Sequence, residues 1–322
     1  MTFSKILNHF PPPLFLEIPF AGVSITDASI RCILFKKKGD TVYIDKYSEK
    51  FLEKGSVVGG QIKNKPSVVK LLLELKNELS LEYVKMSLPE ESAYLFTAKI
   101  PIVKEEEVRG VIESKIEENV PVPPSELIFD YKLIDHSAKG HLDVVVSALP
   151  VSVLDNYIQI ANESGLTLLS LEIESQAIAR AVMLKGKDNT VLLVHFGPEK
   201  VGLYVVSFGL VHFTSTVVTK ITSEGELQSL LQEIKKLYTY WHTLKENVDK
   251  PERKISEVIV CGSDLPENIT EYLSQHLDVP SAIGNPWINI FNFEEVVPEV
   301  SKEDSLRFAD AIGLALPSET LI

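Results

Sequence analysis

The sequence is poor in the residues that make chemistry conspicuous. Cys32 and Cys261 are its only cysteines. Both sit in apolar, strand-like runs, which reads as buried thiols rather than a disulfide and points to a reducing cytosol. The seven histidines are scattered without metal-ligand spacing. Positive charge is scarce: 32 Lys and Arg stand against 45 Asp and Glu, a net charge of -13 with a pI near 5.1. That argues against a nucleic-acid surface, which needs cations to displace counterions, and favours a basic partner segment drawn in by long-range steering. No apolar run approaches the roughly 20 residues that cross a bilayer, and the N-terminus lacks the apolar stretch of a signal peptide. The run from Gly55 to Gly60 is not followed by the lysine and hydroxyl of a phosphate-binding loop. Neither a G-x-G-x-x-G fingerprint nor a G-x-S-x-G elbow occurs.

What is present is an ordinary globular composition, 45% hydrophobic and 24% charged, over 322 residues. That length predicts two or three compact units. The chain is organised around Ala21 to Phe35, two apolar strands flanking a polar turn at Thr26-Asp27. On the second strand Ile30, Cys32 and Leu34 alternate with Arg31, Ile33 and Phe35, the period of a sheet. A turn of this kind gathers backbone N–H groups as phosphate-binding turns do. The pattern recurs at Thr190 to Val206 with Gly197-Pro198 in the turn. A third strand follows each copy, Thr41 to Phe51 and Leu210 to Val218. Two related halves, each opening on a three-strand meander, are predicted.

Between these repeats the chain punctuates itself. Met1 to Phe10 has the spacing of a short helix that packs on the protein or touches a partner or membrane. Gly55 to Lys65 reads as a loop, and Pro66 opens a helix with Val69, Leu72, Leu73, Leu75 and Leu79 on its apolar face. Tyr83 to Leu88 is a strand. Pro89 and Pro150 then bracket a strand–helix–strand–strand module whose helix, Lys104 to Asn119, buries Val108, Val111, Ile112 and Ile116. Val151 to Ser164, Leu166 to Ile173 and Glu174 to Leu184 read as helix, strand and helix. Ser223 to Glu226 is a capping box that starts a long helix. Ile255 to Cys261 is a strand, Pro266 to Leu277 a helix, and Glu303 to Leu316 the closing helix.

This layout is that of the actin-like ATPase fold: α/β, two related halves with central mixed sheets, and an inserted small α+β module. More narrowly, the chain resembles the PilM family of type IV pilus assembly proteins, itself similar to the division protein FtsA. The resemblance is carried by AGVSITDASIR (Ala21 to Arg31), the run from Ile100 to Ile134, and the run from Ser147 to Ala181. LLVHFGPEKVGLYVV (Leu192 to Val206), VIVCGSDLP (Val258 to Pro266) and FADAIGLAL (Phe308 to Leu316) complete it. It implies a first subdomain over 1–89 with 150–186, a module over 90–149, and a second half over 187–322 with a helical part near 222–254.

The resemblance also implies a nucleotide site at Ser24, Thr26, Asp27, Ala28 and Ser29, at His195 and Gly197, and at Cys261, Gly262 and Ser263. This sequence departs from the family there. The first turn, Asp-x-Gly-Ser in the family, has Ser24, Thr26 and Asp27; the second begins with His195 rather than Asp; the third has Cys261-Gly262 for a Gly-Gly pair. Mg²⁺ prefers oxygen ligands, carboxylates above all, so a hydroxyl and an imidazole are poor replacements. Thr26 puts a β-branched side chain where backbone approaches phosphate. The expectation is no bound cofactor, weak ATP–Mg²⁺ binding and no hydrolysis. The alternative is a working ATPase or sugar-kinase-like phosphotransferase in which Asp27 supplies a shifted carboxylate or Glu174 acts. A filament former like actin is a third reading. In the family, the partner is the N-terminal cytoplasmic peptide of the inner-membrane protein PilN, held between the module and the first subdomain. Glu105, Glu106, Glu107, Glu113, Glu117 and Glu118, on the module helix, are the expected steering surface for that basic peptide. The chain is then a cytoplasmic adaptor at the inner membrane, linked toward the pilus motor.

Overall fold

The computed structural model describes residues 18–38, 41–134, 140–245, 247–291 and 298–316. The helix expected over Met1 to Phe10 and the hairpin tip expected at Ser137 lie outside these residues. The first meander is β1 (Ala21–Ile25), β2 (Ser29–Lys38) and β3 (Thr41–Phe51). A small hairpin follows, β4 (Val57–Val58) with β5 (Gln61–Ile62), inside the stretch expected to be a loop. Helix α1 (Lys65–Leu79) is capped by the Asn64 side chain, which accepts from the Ser67 N–H, with Pro66 in its first turn. It buries Val68, Leu72, Leu75 and Leu79. Leu73, expected on that face, is 39% exposed, because the 68–72–75–79 stripe leaves it about 100° round the helix.

Strand β6 (Tyr83–Leu88) leads into the module: β7 (Tyr94–Pro101), α2 (Glu105–Asn119), β8 (Leu127–Ile134) and β9 (His141–Pro150). Then come α3 (Val151–Glu163), β10 (Thr167–Ile173) and α4 (Glu174–Val182). The second meander is β11 (Thr190–Phe196), β12 (Lys200–Ser207) and β13 (Leu210–Val218). It is followed by α5 (Glu224–Thr243), β14 (Ile255–Gly262), α6 (Ile269–Leu277) and β15 (Ser281–Ile283). Helix α6 starts later than expected because Asn268 sits in the left-handed region at φ 56°. The closing helix divides into α7 (Lys302–Leu306) and α8 (Ala309–Ala315).

The two main sheets repeat one plan. Their orders are β3-β2-β1-β6-β10 and β13-β12-β11-β14-β15, with the meander antiparallel and the last two strands parallel to the first. The expected alternation on β2 holds, and both of its faces are packed. Ile30 and Cys32 join α1 and α3 on one side, and Ile33 joins α4 and α8 on the other. The layers therefore run α1/α3, first sheet, α4/α8, second sheet, α5/α6. Burying both faces of both sheets is what the apolar strands of each repeat demand.

The central pair of helices sits unusually close to its neighbours. A Cβ at Gly313 of α8 would lie 1.8 Å from the Ala177 carbonyl oxygen of α4. A Cβ at Gly22 of β1 would lie 2.0 Å from the Ala311 carbonyl oxygen. Both glycines admit a backbone-to-backbone approach that no side chain permits. Helix α8 is thus handed back from the C-terminal half to the first sheet.

The module forms its own three-stranded sheet, order β7-β9-β8, with α2 on one face. It also leans on the second half: Arg253 and Asp143 form a buried pair at 3.4 Å, and Thr97 Oγ1 meets His212 Nδ1 at 3.3 Å.

Candidate functional site: a cleft between repeated turns and a groove beside the module

The β1–β2 turn satisfies its own backbone. Thr26 Oγ1 accepts from the N–H groups of Ala28 (3.3 Å) and Ser29 (3.1 Å) and donates to the Ser29 carbonyl at 3.0 Å. The Thr26 hydroxyl thus takes up two N–H groups of its own turn. The Asp27 carboxylate is engaged elsewhere, accepting from Gly59 N–H at 2.8 Å and Gly60 N–H at 3.0 Å. Both glycines have positive φ, and Gly60 packs so tightly on Pro89 that a Cβ there would come within 1.9 Å of it. Ser24 Oγ donates to the Asp310 carboxylate, whose other oxygen accepts from Ala311 N–H at 2.7 Å. Ser29 Oγ donates to Glu49 at 2.8 Å, which also pairs with Arg31.

The second turn faces it. Gly197 N–H donates to the Lys200 carbonyl at 2.8 Å, and Pro198 has no N–H to offer. His195 Nδ1 lies 3.7 Å from Glu174 Oε1, both buried. Burial first, then the nearby charges of Arg31 and Lys200, pulls His195 down to about 3, so its imidazole is neutral. Burial pushes the Glu174 carboxyl up to about 7; Lys200 opposes the shift while Asp310, Glu91 and Glu90 add to it. Burial alone would lower the Lys200 ammonium, but Glu174, Glu91 and Asp27 outweigh it and hold it raised. Lys200 forms an ion pair with Glu91, just before β7, and Lys54 reaches Glu199 at 3.6 Å. Both pairs run across the cleft.

The third position closes against the second turn. Gly262, at φ 108°, has no room for a Cβ, which would lie 2.0 Å from the Phe196 carbonyl oxygen. Ser263 N–H donates to that same oxygen at 2.8 Å. Cys261 is buried opposite His195 in the β11–β14 register, its thiol pushed up by burial and by Asp310 and Glu174. Particular contacts tie these turns together: Ser24 to Asp310, His195 to Glu174 and, in register, to Cys261, and Ser263 to the Phe196 carbonyl. Asp310, Lys200 and Glu91 join them without having been read from the sequence. Among the described residues no group of three or more His, Cys, Asp or Glu is placed to hold a metal ion.

A second feature lies on the other side of α4. A cavity of about 430 Å³ opens between residues 128–132 of β8 and 170–173 of β10. Both strands are at the edge of their sheets. Leu88, Leu95, Leu149 and Leu154 line it, α4 contributes Ser175, Gln176 and Arg180, and residues 209–211 contribute from the second half. Arg180 is fixed by Glu172 and, at 2.9 Å, by the Gly313 carbonyl. The six glutamates are not in this groove. Helix α2 packs Val108, Ile112 and Ile116 against Val144 and Val146, whereas Val145 and Ser147, on the opposite face of β9, line the cavity. Glu105, Glu106, Glu107, Glu113, Glu117 and Glu118 point to solvent from the far side of the module.

Comparison with known proteins bears on the family and the fold. The family model described as type IV pilus assembly protein PilM matches residues 22–218. No curated protein matches by sequence. A PilM–PilN type IV pilus biogenesis complex superposes with a TM-score of 0.75 at 15% identity, over 92% of this chain and 98% of that one. The ethanolamine utilization protein EutJ from Carboxydothermus hydrogenoformans gives 0.50 at 14% identity, over 97% and 93%. The cytoplasmic domain of EpsL, from the type II secretion system of Vibrio cholerae, gives 0.49 at 11%, over 78% and 84%. The fold is actin-like.

Proposed function

The chain belongs to the PilM family of type IV pilus assembly proteins, and from that premise we propose that it is a cytoplasmic adaptor that holds the N-terminal peptide of a PilN-like inner-membrane protein in the groove between β8 and β10. One observation carries the reading: two edge strands from different sheets line the same apolar cavity. Unpaired strand edges offer main-chain hydrogen bonds to an extended segment, and alternate side chains of that segment find apolar pockets. A solved PilM–PilN complex shares this fold over nearly its full length. The α2 glutamates then act at a distance, adding to the negative field that draws in a basic peptide, and the apolar groove carries the affinity.

The cleft is read as a nucleotide site filled by the protein's own groups. Thr26 takes the turn's N–H groups, Gly59 and Gly60 take the Asp27 carboxylate, and Lys200 neutralises the acids. A second reading, an active ATPase or phosphotransferase, draws on Glu174. Its raised pKa beside His195 is what a general base at neutral pH requires. Calorimetry separates the two. The adaptor reading expects saturable binding of a synthetic PilN-type N-terminal peptide, lost on Ile128→Arg at the groove rim, and negligible heat with Mg-ATP. A micromolar or tighter constant for Mg-ATP, abolished by Glu174→Gln or Asp27→Ala, selects the enzyme.

A further inference from the structure

Residues 209–211, where the turn after β12 runs into β13, belong to the second half, yet they form one wall of the groove. One side chain from across the boundary meets them. Gln176, in the first turn of α4, donates from its amide nitrogen to the Gly209 carbonyl at 3.0 Å. Its amide oxygen accepts from the Val211 N–H at 3.1 Å. A single carboxamide thus pairs with main-chain groups two residues apart, as a neighbouring strand would. The turn it grips is stiff. Phe208 and Gly209 are both left-handed, at φ 51° and 71°, the conformation of a tight two-residue hairpin. Val211 is buried in the core that also holds Ile178 of α4, and Leu95 of the module packs on that core. Leu210, between the two gripped residues, is only partly buried and lines the cavity.

We infer that Gln176 is the positioning residue of the groove: it seats the second half's turn as a third wall, so that Leu210 meets an apolar side chain of the bound segment. The inference rests on the groove being the peptide site. It adds that the occupant is held by the module, the first sheet and the second half together. The occupant is therefore an extended segment with an apolar side chain placed to reach the turn.

The test is a double-mutant cycle on the full chain, titrated calorimetrically with a synthetic PilN-type N-terminal peptide. Gln176→Met keeps the length of the side chain and removes both hydrogen bonds; Leu210→Ala removes the wall itself. Each weakens binding about tenfold, and the double variant is no weaker than Leu210→Ala alone. Gln176→Glu, which keeps the acceptor but sets a carboxylate against the Gly209 carbonyl, gives the same comparison if the methionine variant fails to fold. Peptide binding that is lost on Ile128→Arg but unchanged by Gln176→Met, or binding effects that simply add in the cycle, overturns the role of Gln176 and leaves the groove standing. No binding to the wild-type chain, or binding indifferent to Ile128→Arg, overturns the groove reading and this inference with it.

Discussion

Ser24 and Asp310, 286 positions apart in the chain, share a buried hydrogen bond from the serine hydroxyl to the aspartate carboxylate. That bond ties the first strand of the first sheet to α8, the helix lying between the sheets. Ser24→Ala leaves a buried carboxylate short of a partner and is expected to cost about 1–3 kcal/mol in urea unfolding. Ser24→Asp restores the family residue but sets two carboxylates side by side. It is expected to destabilise further and still not to bind Mg-ATP, because Thr26 continues to occupy the turn.

Gly313 is the second mechanical prediction. A methyl group there would overlap the Ala177 carbonyl at 1.8 Å, and backbone on both sides leaves nothing flexible to move. Gly313→Ala is expected to lower stability by about 1–3 kcal/mol or more, the range for overpacking, although alanine is the better helix former. Thermal unfolding checks it: an unchanged or raised melting temperature would contradict the packing of α4 on α8.

Glu174 sets the sign of a pH effect. Its carboxyl is raised from 4.5 to about 7 in the folded chain, so between those values the folded state holds a proton that the unfolded state has released. Stability from this group is full below about pH 4.5 and is lost as the pH rises through 7. His195, lowered from 6.5 to about 3, works oppositely, weakening the fold as the pH falls below 6.5. A bare stability profile therefore mixes the two. The difference between Glu174→Gln and wild type isolates the carboxyl: the variant's relative stability is expected to grow from pH 5 to pH 8. A constant difference would contradict the burial of an ionisable Glu174.

The groove and the acidic helix should separate kinetically. Replacing Glu105, Glu106 and Glu107 by glutamine is expected to slow peptide association severalfold at low salt, with dissociation nearly unchanged. Ile128→Arg is expected to act on dissociation instead. Stopped-flow at two ionic strengths distinguishes them, and a dissociation effect from the glutamates would place them in contact with the peptide.

The meanders were legible because period-2 apolar runs around polar turns are local signals, and both copies folded as read. The substitutions at Ser24, Thr26, His195 and Cys261 were legible too, as residue types. What replaced the missing ligands was not. Asp310 reaches Ser24 only through the crossing of α8, and Asp27 finds Gly59 and Gly60 only through a two-residue-stranded hairpin too short to show periodicity. The groove is made of edges, and which strand becomes an edge is decided by sheet order, not by side-chain pattern. The module glutamates stand on an exposed helix face, and the sheet between them and the groove was invisible in one dimension. The break between α7 and α8 escaped for a similar reason: Arg307 and Phe308 carry no helix-breaking residue.

Hydrogen–deuterium exchange on the full chain, with and without a PilN-type peptide, tests the central claim most directly. Slower exchange confined to residues 127–134, 167–173 and 209–211, with the turns at 26–29 and 197–200 unchanged, is the predicted result. Protection that appears at those turns and spares the two edge strands would contradict it.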